Sequence, residues 1–388
     1  RPNIAEGTTF YYKAPKNIQF KTDVMKEVLD EYTTLPSVVT SSGKVDFFFK
    51  NGKKSRVIQI GDTKYTVGIG GMHSKEKSVR YTNNKKILCE YDAAAFYPWI
   101  ILNNKLFPKH IGVHFLEVYK SIVKRRMQAK VEKDKQTDAT LKIVINGSFG
   151  KLGSKWSCLY APDLMLQVTI TGQLTLLMLV ERLELEGIKV VSANTDGIVV
   201  NADTDKDNIA RRIVEDFEFD TDYVMERTDY QSINMRDVNN YVAVKCKYKD
   251  DSDAVKGKGA YADQFSDYYK LRSNPSNEIC KDAVRKFLFD KTPMELTIRK
   301  CTDIKKFVNI RNVNGGAVKE GAFLGKAIRW YYGRHELDAI YYSKNGNKVP
   351  KSDQGVPIMT LTENLPDDID FKWYIEEAEK MLKLLGWK

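Results

Sequence analysis

The sequence predicts an α+β fold in which antiparallel strands and helices occur together. Three segments carry this prediction: the strand-like run KKILCEYD at 85–92, a long apolar helix starting near Pro162, and two β-branched runs around Asn-Thr-Asp-Gly at 194–197. The last pattern is typical of a β-hairpin, which joins neighbouring strands in antiparallel order. With 388 residues, the chain exceeds the usual size of one core, so two or three subdomains are expected.

The first candidate functional residue lies at the end of the first predicted strand. The first sixty residues indicate little, but from Lys85 the residues Ile87, Cys89 and Tyr91 alternate onto one face. Asp92 then ends the strand, and the following AAAFYPWII predicts a turn into a short helix.

The middle of the chain predicts a helical hairpin and then a buried helix. Two helical stretches between Val113 and Gly150 flank the polar run KDKQTD, where Thr137 or Asp138 is the expected cap of the second helix. The next helix begins at a favoured first-turn proline, Pro162, and Gly187 ends it. Its apolar density predicts burial.

The helical hairpin carries two polar pairs. Arg126 and Lys130 are four residues apart, as are Lys142 and Asn146, so each pair shares a helix face. Several cations and an amide around one space are suited to a triphosphate. A solvated basic face is the alternative reading of the same residues.

Two glycines and two aspartates complete the motifs. Gly147 and Gly150 cost about 1 kcal/mol each inside a helix, which calls for a reason such as close approach of a substrate or backbone. Asp196 falls in the predicted hairpin turn. Asp92 and Asp196 are each common residue types at such local positions, and sequence spacing alone does not show that they meet.

Composition restricts the class of partner. The 62 Lys and Arg against 51 Asp and Glu give a net charge of +11, which favours a polyanion such as nucleic acid, although ribosomal, membrane-surface and heparin-binding proteins share this balance. The five cysteines predict neither a disulfide framework nor a zinc cluster, and so a reducing cytoplasm. The apolar run at 174–180 is too short for a membrane span, so no membrane partner is expected.

Three motifs in order resemble those of family B DNA polymerases. DAAAFYPWII at 92–101 resembles motif A, KIVINGSFG at 142–150 resembles motif B, and ANTDGI at 193–198 resembles motif C. GIGG at 68–71 resembles the glycine motif that precedes motif A. RDVNNY at 236–241 and KGKG at 256–259 resemble segments that grip the primer-template, and LGKAIRWYYG with LPDDIDFKWYI is similar to the thumbs of phage members.

This resemblance implies a right-hand polymerase fold with an antiparallel palm sheet, two-helix fingers and a mixed, mostly helical thumb. The implied domains are an N-terminal segment with the first part of the palm at 1–104, fingers at 105–152, the second part of the palm at 153–269 and a thumb at 270–388. The break before the thumb is expected near Ser266 to Asn277.

The resemblance also implies a reaction, namely DNA-templated extension of a primer 3′ end by two-metal phosphoryl transfer. Asp92, Asp196 and the carbonyl of Ala93 would bind two Mg²⁺ ions, with Mn²⁺ as a substitute, about 3.5–4 Å apart. Asp92 and Asp196 are thus the implied catalytic carboxylates, and Lys142 is an implied acid that protonates pyrophosphate.

The remaining implied roles concern substrates. Tyr97 would lie under the sugar and exclude a 2′-hydroxyl. The nucleotide would be bound by Ala95, Phe96, Tyr97, Arg126, Lys130, Lys142 and Asn146. The DNA would be contacted by Gly70, Gly71, Arg236, Asn240, Tyr241, Lys256 and Lys258.

Departures from the motifs keep alternatives open. Asn194 replaces the first aspartate of motif C, so a catalytically silent palm that binds primer-template as a structural subunit is the second hypothesis. A reverse transcriptase is the third, although its hairpin carboxylates would be adjacent, unlike Asn-Thr-Asp-Gly. No room for a 3′–5′ exonuclease precedes Gly68, so it lies on an omitted segment or this polymerase lacks proofreading.

The expected partners are primer-template DNA and deoxynucleoside triphosphates, with room for a processivity factor or other replication proteins. The expected location is the cytoplasm, that of a bacterial host if the chain is phage-encoded. Phage or mobile-element origin is the expected type.

Overall fold

The computed structural model describes residues 2–266, 274–336 and 338–387. It is a mixed α+β fold with antiparallel sheets. The chain forms two compact units: unit 1 comprises Arg1–Glu76 and Asn83–Asp229, and unit 2 comprises Lys77–Thr82 and Tyr230–Lys388. The predicted break near Ser266 to Asn277 falls partly on 267–273, outside the described residues. The palm, fingers and thumb boundaries stay predictions.

The helices lie mainly in the middle and at the end of the chain. Their bounds are α1 Asp23–Thr34, α2 Phe96–Asn103, α3 His114–Val131, α4 Lys135–Leu152, α5 Pro162–Leu185, α6 Asp207–Thr221, α7 Asp251–Ala254, α8 Glu278–Asp290, α9 Met294–Lys300 and α10 Phe371–Leu384.

The strands fall into three groups along the chain. The first group is β1 Thr9–Phe10, β2 Ser37–Val39, β3 Val45–Phe47, β4 Arg56–Ile60, β5 Thr63–Val67, β6 His73–Ser74, β7 Val79–Thr82 and β8 Lys86–Ala93. The second is β9 Val190–Asn194, β10 Gly197–Asp203, β11 Met225–Asp237, β12 Asn240–Lys245 and β13 Val255–Lys258. The third is β14 Asn309–Lys319, β15 Ala322–Tyr332, β16 Tyr341–Tyr342 and β17 Gly355–Pro357.

Unit 1 is built on an antiparallel sheet around one buried helix. Its strands lie in the order β11, β8, β10, β9, β6, β5, β4, with β11 contributing Met225–Asp229. Helix α5 packs its apolar side chains into the core below this sheet, and α2, α4 and α6 contact it. A small sheet of β1, β2 and β3 completes the unit.

Unit 2 contains the later part of β11 with its strand partners, a four-stranded sheet and three packed helices. The later part of β11 pairs with β7 and β12, and β12 pairs with β13. The hairpin of β14 and β15 is flanked by β16 and β17, while α8, α9 and α10 pack together. A mixed, mostly helical region was expected here, and the structure has three helices together with the eleven-residue strands β14 and β15, which the sequence analysis did not predict. Glycines at positive φ, among them Gly315 and Gly325, interrupt the alternation that would have predicted them.

The local predictions in the motif region are confirmed with one correction. The strand before Asp92, the short helix, the helical hairpin, the buried helix and the turn at Asp196 are all present. The cap of α4 is Asp134, whose side chain accepts a hydrogen bond from the Thr137 backbone N–H, rather than Thr137 or Asp138.

Helix α5 is long and apolar enough to cross a membrane by length and composition. Its most apolar window is 78% buried inside the protein, as expected for a core helix. Helix length and composition are therefore weak support for a membrane span.

Candidate active site

The two predicted carboxylates lie on neighbouring strands. Gly197 of β10 is the register partner of Asp92 of β8, so Asp196, one residue earlier in the hairpin turn, is brought to the end of β8. The backbone N–H of Ala93 donates to the carbonyl of Asp196 at 2.7 Å, which fixes the turn against the strand end. Sequence spacing could not show this, but in the fold the two aspartates lie at adjoining backbone positions.

The turn that carries Asp196 is held from a second side. The Thr195 N–H donates to the carbonyl of Met72 at 2.9 Å, and a Cβ added at Gly71 would lie 2.6 Å from Thr195 Oγ1. Thr195 has φ 54°, a left-handed conformation that β-branched residues rarely adopt. Ala95, at the start of α2, has φ 51°. Such backbone conformations persist only where the surroundings fix them.

Gln173 fixes the glycine segment from the core helix. Its amide is buried, and Nε2 donates to the carbonyls of Gly68 at 2.8 Å and Gly70 at 2.6 Å. Its Oε1 accepts from the Gly68 N–H at 3.1 Å, and the Tyr32 hydroxyl donates to the Gly68 carbonyl. The segment that supports Thr195 is thus tied to α5.

The predicted nucleotide-binding cations lie on α3 and α4, and both of those on α3, Arg126 and Lys130, are paired with carboxylates. Arg126 Nε donates to Asp138 Oδ1 at 2.9 Å. Lys130 Nζ lies 2.8 Å from Glu226 Oε1, which brings the end of α3 to β11. Lys142 lies on the exposed surface of α4. The residue Glu226 is the register partner of Asp92, so both side chains stand on one face of the sheet.

These elements enclose one pocket of about 540 Å³. Every residue predicted to catalyse, to bind metal or to bind nucleotide lines it: Asp92, Ala93, Ala95, Phe96, Tyr97, Arg126, Lys130, Lys142, Asn146 and Asp196. We call Asp92, Ala93, Thr195 and Asp196 the strand wall, and Arg126, Lys130, Lys142 and Asn146 the helix wall. Their roles stay predictions, but their proximity is a fact of the fold.

Sequence reasoning missed several lining residues, which are Ala94, Pro98, Asp138, Phe149, Thr195 and Glu226. Phe149 lies within KIVINGSFG, the segment that resembles motif B, so the sequence contained a signal for it. Asp138 was considered only as a cap. Glu226 had no local signal, because only strand pairing brings it beside Asp92.

Tyr97 forms the floor of the pocket between the walls. Its ring lies 4.6 Å from that of Phe149 and 6.1 Å from that of Phe96, measured between centroids. Burial, together with the nearby Asp196 carboxylate, raises the pKa of the Tyr97 phenol to about 12. The phenol is therefore neutral throughout the physiological range.

The helix glycines of motif B face open space. Among the described residues, a Cβ added at Gly147 or Gly150 would meet no atom within 4 Å apart from its chain neighbours and the nearby backbone of its own helix. Close approach by the chain itself is therefore not the reason for them, and an approaching substrate is the reason that stays open.

The predicted DNA contacts of unit 2 lie on β11, β12 and β13. Tyr241 is buried, and Lys256 Nζ and Lys258 Nζ each lie 5.8 Å from its ring centroid. Asn240 is committed to the fold, since its Nδ2 donates to Asp237 and its Oδ1 accepts from the Ala260 N–H. Arg236 Nε lies 3.0 Å from Asp237. Gly70 and Gly71 lie in unit 1.

The pocket offers oxygen donors rather than a complete set of metal ligands. Among 2–266, 274–336 and 338–387, no group of three or more His, Cys, Asp and Glu side chains is arranged to hold a metal ion. The pocket does offer the oxygens of Asp92 and Asp196 at adjoining backbone positions. Hard oxygen donors of this kind suit Mg²⁺, which keeps several waters or substrate oxygens in its coordination shell. The residues fit a site completed by substrate.

Comparisons with known proteins find matches among solved structures. The sequence matches no protein-family model and no curated protein. Among solved structures, the chain is similar to the family B DNA polymerase from the hyperthermophilic archaeon Pyrobaculum calidifontis, with 14% identity and a TM-score of 0.47. The match covers 80% of this chain and 46% of that polymerase, so the chain spans about half of its length.

Proposed function

We propose that this chain is the polymerase region of a family B DNA polymerase of phage or mobile-element type, which extends a DNA primer with deoxynucleoside triphosphates. One observation carries the proposal. Residues selected from three separate sequence motifs line a single pocket, with carboxylates on one wall and cations with an amide on the other. Both halves of phosphoryl transfer, a site for the reacting ends and a clamp for the triphosphate, are thereby supplied.

The helix wall would bind the triphosphate. Arg126, Lys130 and Lys142 supply positive donors, and Asn146 supplies an amide on the same helix face as Lys142. Since Arg126 and Lys130 hold Asp138 and Glu226, an incoming triphosphate would compete with two carboxylates for these cations. Binding would then replace each carboxylate partner by a phosphate oxygen. The cost of desolvating the two cations is smaller in this case, because they are already paired. Lys142 would also protonate the departing pyrophosphate.

The strand wall would hold two Mg²⁺ ions, for which Mn²⁺ is a substitute, through Asp92, Asp196 and the Ala93 carbonyl. When bound, these ions supply an activated primer hydroxyl and charge stabilisation of the leaving group. The chain's own contribution is to fix both carboxylates by strand register before substrate arrives. Phe96 and Ala95 begin α2, so backbone N–H groups of its first turn are available to the triphosphate.

Tyr97 would select the sugar. Its ring packs against those of Phe149 and Phe96 and lines the pocket, so a 2′-hydroxyl would contact the ring. The raised pKa keeps the phenol neutral, which avoids repulsion with the triphosphate. Deoxynucleotides are therefore the proposed substrates.

The DNA would be held by phosphate contacts. Lys256 and Lys258, aligned on the Tyr241 ring, would contact the duplex backbone without sequence preference, together with Arg236. Asn240 and Tyr241 would act by shaping this surface. Gly70 and Gly71 would allow close approach of the template. The names palm, fingers and thumb, a processivity partner and a cytoplasmic location belong to the same proposal.

Primer extension tests the proposal. Wild type, Asp92→Ala and Asp196→Ala are compared on a DNA template with Mg²⁺ and deoxynucleotides, and Asp23→Ala, whose side chain is fully exposed on α1, is the matched control. Extension by wild type and the control, with a loss of at least about 10³-fold in both site variants, is expected.

Binding separates the second hypothesis from the first. If folded wild type binds a labelled primer-template in fluorescence anisotropy but extends nothing with Mg²⁺ or Mn²⁺, a catalytically silent palm replaces the proposal. Asn194 favours this alternative, since an amide occupies the place of the first aspartate in motif C. Extension on RNA but not DNA template would instead indicate a reverse transcriptase.

A further inference from the structure

One glycine interrupts the buried helix α5. Gly172 lies in its middle, fully enclosed, and does not line the pocket. Glycine inside a helix costs about 0.5–1 kcal/mol relative to alanine, so a position of this kind needs a physical reason. Its φ is not in the left-handed region, so backbone conformation is not that reason.

The reason is contact with α2. A Cβ added at Gly172 would lie 3.1 Å from Tyr97 Cε1, 3.3 Å from Phe96 Cε1 and 3.3 Å from Ile100 Cδ1. Carbon atoms pack best at about 3.5–4.0 Å, so all three contacts are too close for a methyl group. The absence of a side chain at Gly172 is what lets α2 sit this deeply on α5.

The three neighbours of Gly172 differ in their freedom to move. Phe96 and Ile100 are enclosed in the core, with 4% and 0% of their surfaces exposed. Tyr97 is half-buried and has the pocket on its open side. A methyl group at Gly172 would therefore displace Tyr97, by a few tenths of an ångström, toward the pocket.

We propose that Gly172 is a specificity-determining residue that sets the depth of the pocket beside the nucleotide sugar by setting the position of Tyr97. The inference rests on the proposed function, in which Tyr97 meets the sugar. Gly172 touches no substrate and is a positioning residue. The substrate classes it separates are deoxyribonucleoside and ribonucleoside triphosphates.

The direction of the effect follows from geometry. A Tyr97 ring displaced toward the substrate narrows the space that a 2′-hydroxyl would need, while a deoxyribose has a hydrogen there. Gly172→Ala should therefore lower kcat/KM for ribonucleotides more than for deoxynucleotides. We expect the ratio of the two kcat/KM values to shift about three- to tenfold toward deoxynucleotides.

The test is single-nucleotide incorporation by wild type, Gly172→Ala, Tyr97→Ala and the double variant, each with a deoxynucleotide and the matching ribonucleotide. In the Tyr97→Ala background there is no ring to displace, so adding Gly172→Ala should leave the ratio unchanged. A general structural defect would lower kcat/KM equally for both substrates, and this loss would persist in the Tyr97→Ala background.

The outcomes separate the two proposals. If wild type incorporates no nucleotide, the proposed function and this inference both fall. If wild type is active but the ratio is the same in Gly172→Ala, or the double variant shifts as much as the single one, only the inference falls. If Gly172→Ala alone does not fold, recovery of folding in the Tyr97→Ala background assigns the clash to Tyr97 and supports the inference, whereas failure there too overturns it.

Discussion

The strand wall and the helix wall of the pocket are held in different ways. The strand wall is fixed by main-chain hydrogen bonds and strand register, with Ala93 and Thr195 bonded through their backbones. The helix wall presents long side chains from helices whose outer surfaces are exposed, and α4 buries only Ile145 and Leu152 among its side chains. In the proposed reaction, the strand wall, where bonds form and break, is therefore held in place before substrate binds. The side chains of the helix wall adjust their positions when the triphosphate binds.

The largest expected effect on the free energy of unfolding comes from removing the Gln173 side chain, which supports the strand wall. Gln173→Ala removes a buried amide and leaves the Gly68 and Gly70 backbone groups short of partners. We expect the free energy of unfolding to fall by about 3 kcal/mol, measured by urea denaturation. Gln128→Ala on the exposed surface of α3, where the amide bonds only Glu132, is the control and should change it by under about 0.5 kcal/mol. Equal losses of unfolding free energy in the two variants would contradict the conclusion that the strand wall is held more firmly than the helix wall.

Two glycine-to-alanine substitutions, one beside each wall, should change the free energy of unfolding in opposite directions. A Cβ at Gly197 would lie 2.9 Å from Asp92 Oδ1 and 3.3 Å from the Tyr91 carbonyl, so Gly197→Ala should destabilise by about 1–3 kcal/mol. Gly147→Ala on α4 meets open space and should stabilise by about 0.5–1 kcal/mol. Chemical denaturation of both variants measures this, and a stabilising Gly197→Ala would show that the strand wall yields.

The raised pKa of the Tyr97 phenol should make the stability of the protein depend on pH at alkaline pH. Below pH 10 Tyr97 is neutral in both states, so its contribution to stability is complete. Between pH 10 and about 12 the unfolded phenol ionises while the folded one stays protonated, so stability falls, by up to about 1.4 kcal/mol per pH unit from this group. Unfolding of wild type and Tyr97→Phe across this range should give curves that diverge. Parallel curves would place the folded pKa near its ordinary value.

The smallest expected effect concerns the ion pair that joins α3 to β11. The Lys130 and Glu226 side chains are 42% and 52% exposed, so Glu226→Gln should change the free energy of unfolding by under about 0.5 kcal/mol. Asp207→Asn, which removes a half-buried partner of Arg227, is the comparison and should cost about 1–2 kcal/mol. Thermal denaturation at low and high salt measures both. A larger loss for Glu226→Gln would mean that the helix wall is as firmly fixed as the strand wall.

Local patterns were sufficient for much of the site. The strand ending at Asp92 and the turn at Asp196 follow from alternation and from Asn-Thr-Asp-Gly, since both depend on neighbouring residues. The proline at the start of α5 likewise marks that helix. The four-residue spacing on predicted helices indicated the residues of the helix wall, whereas Tyr97 was selected only by the resemblance to a family.

The missing parts depend on pairing across long stretches of sequence. Glu226 reaches the pocket because β11 pairs with β8, and Gln173 matters because α5 passes under the segment at 68–70. Neither relation leaves a periodic signal near the residue itself. The hairpin of β14 and β15 was missed for a different reason, since its glycines obscure the two-residue alternation of a strand.

Residues 77–82 belong to unit 2 although they lie between two segments of unit 1, and this affects when unit 2 folds during synthesis. These residues leave the ribosome early, yet β7 finds its strand partner only when Ser232–Met235 have been synthesised. Arg80 then stacks on Trp387 at 4.1 Å, and Gly386 lies so close that an added Cβ would come within 3.0 Å of the Ser78 carbonyl oxygen. Unit 2 therefore reaches its described packing only after translation has passed Trp387, and β7 is without its strand partner until Met235 has been synthesised.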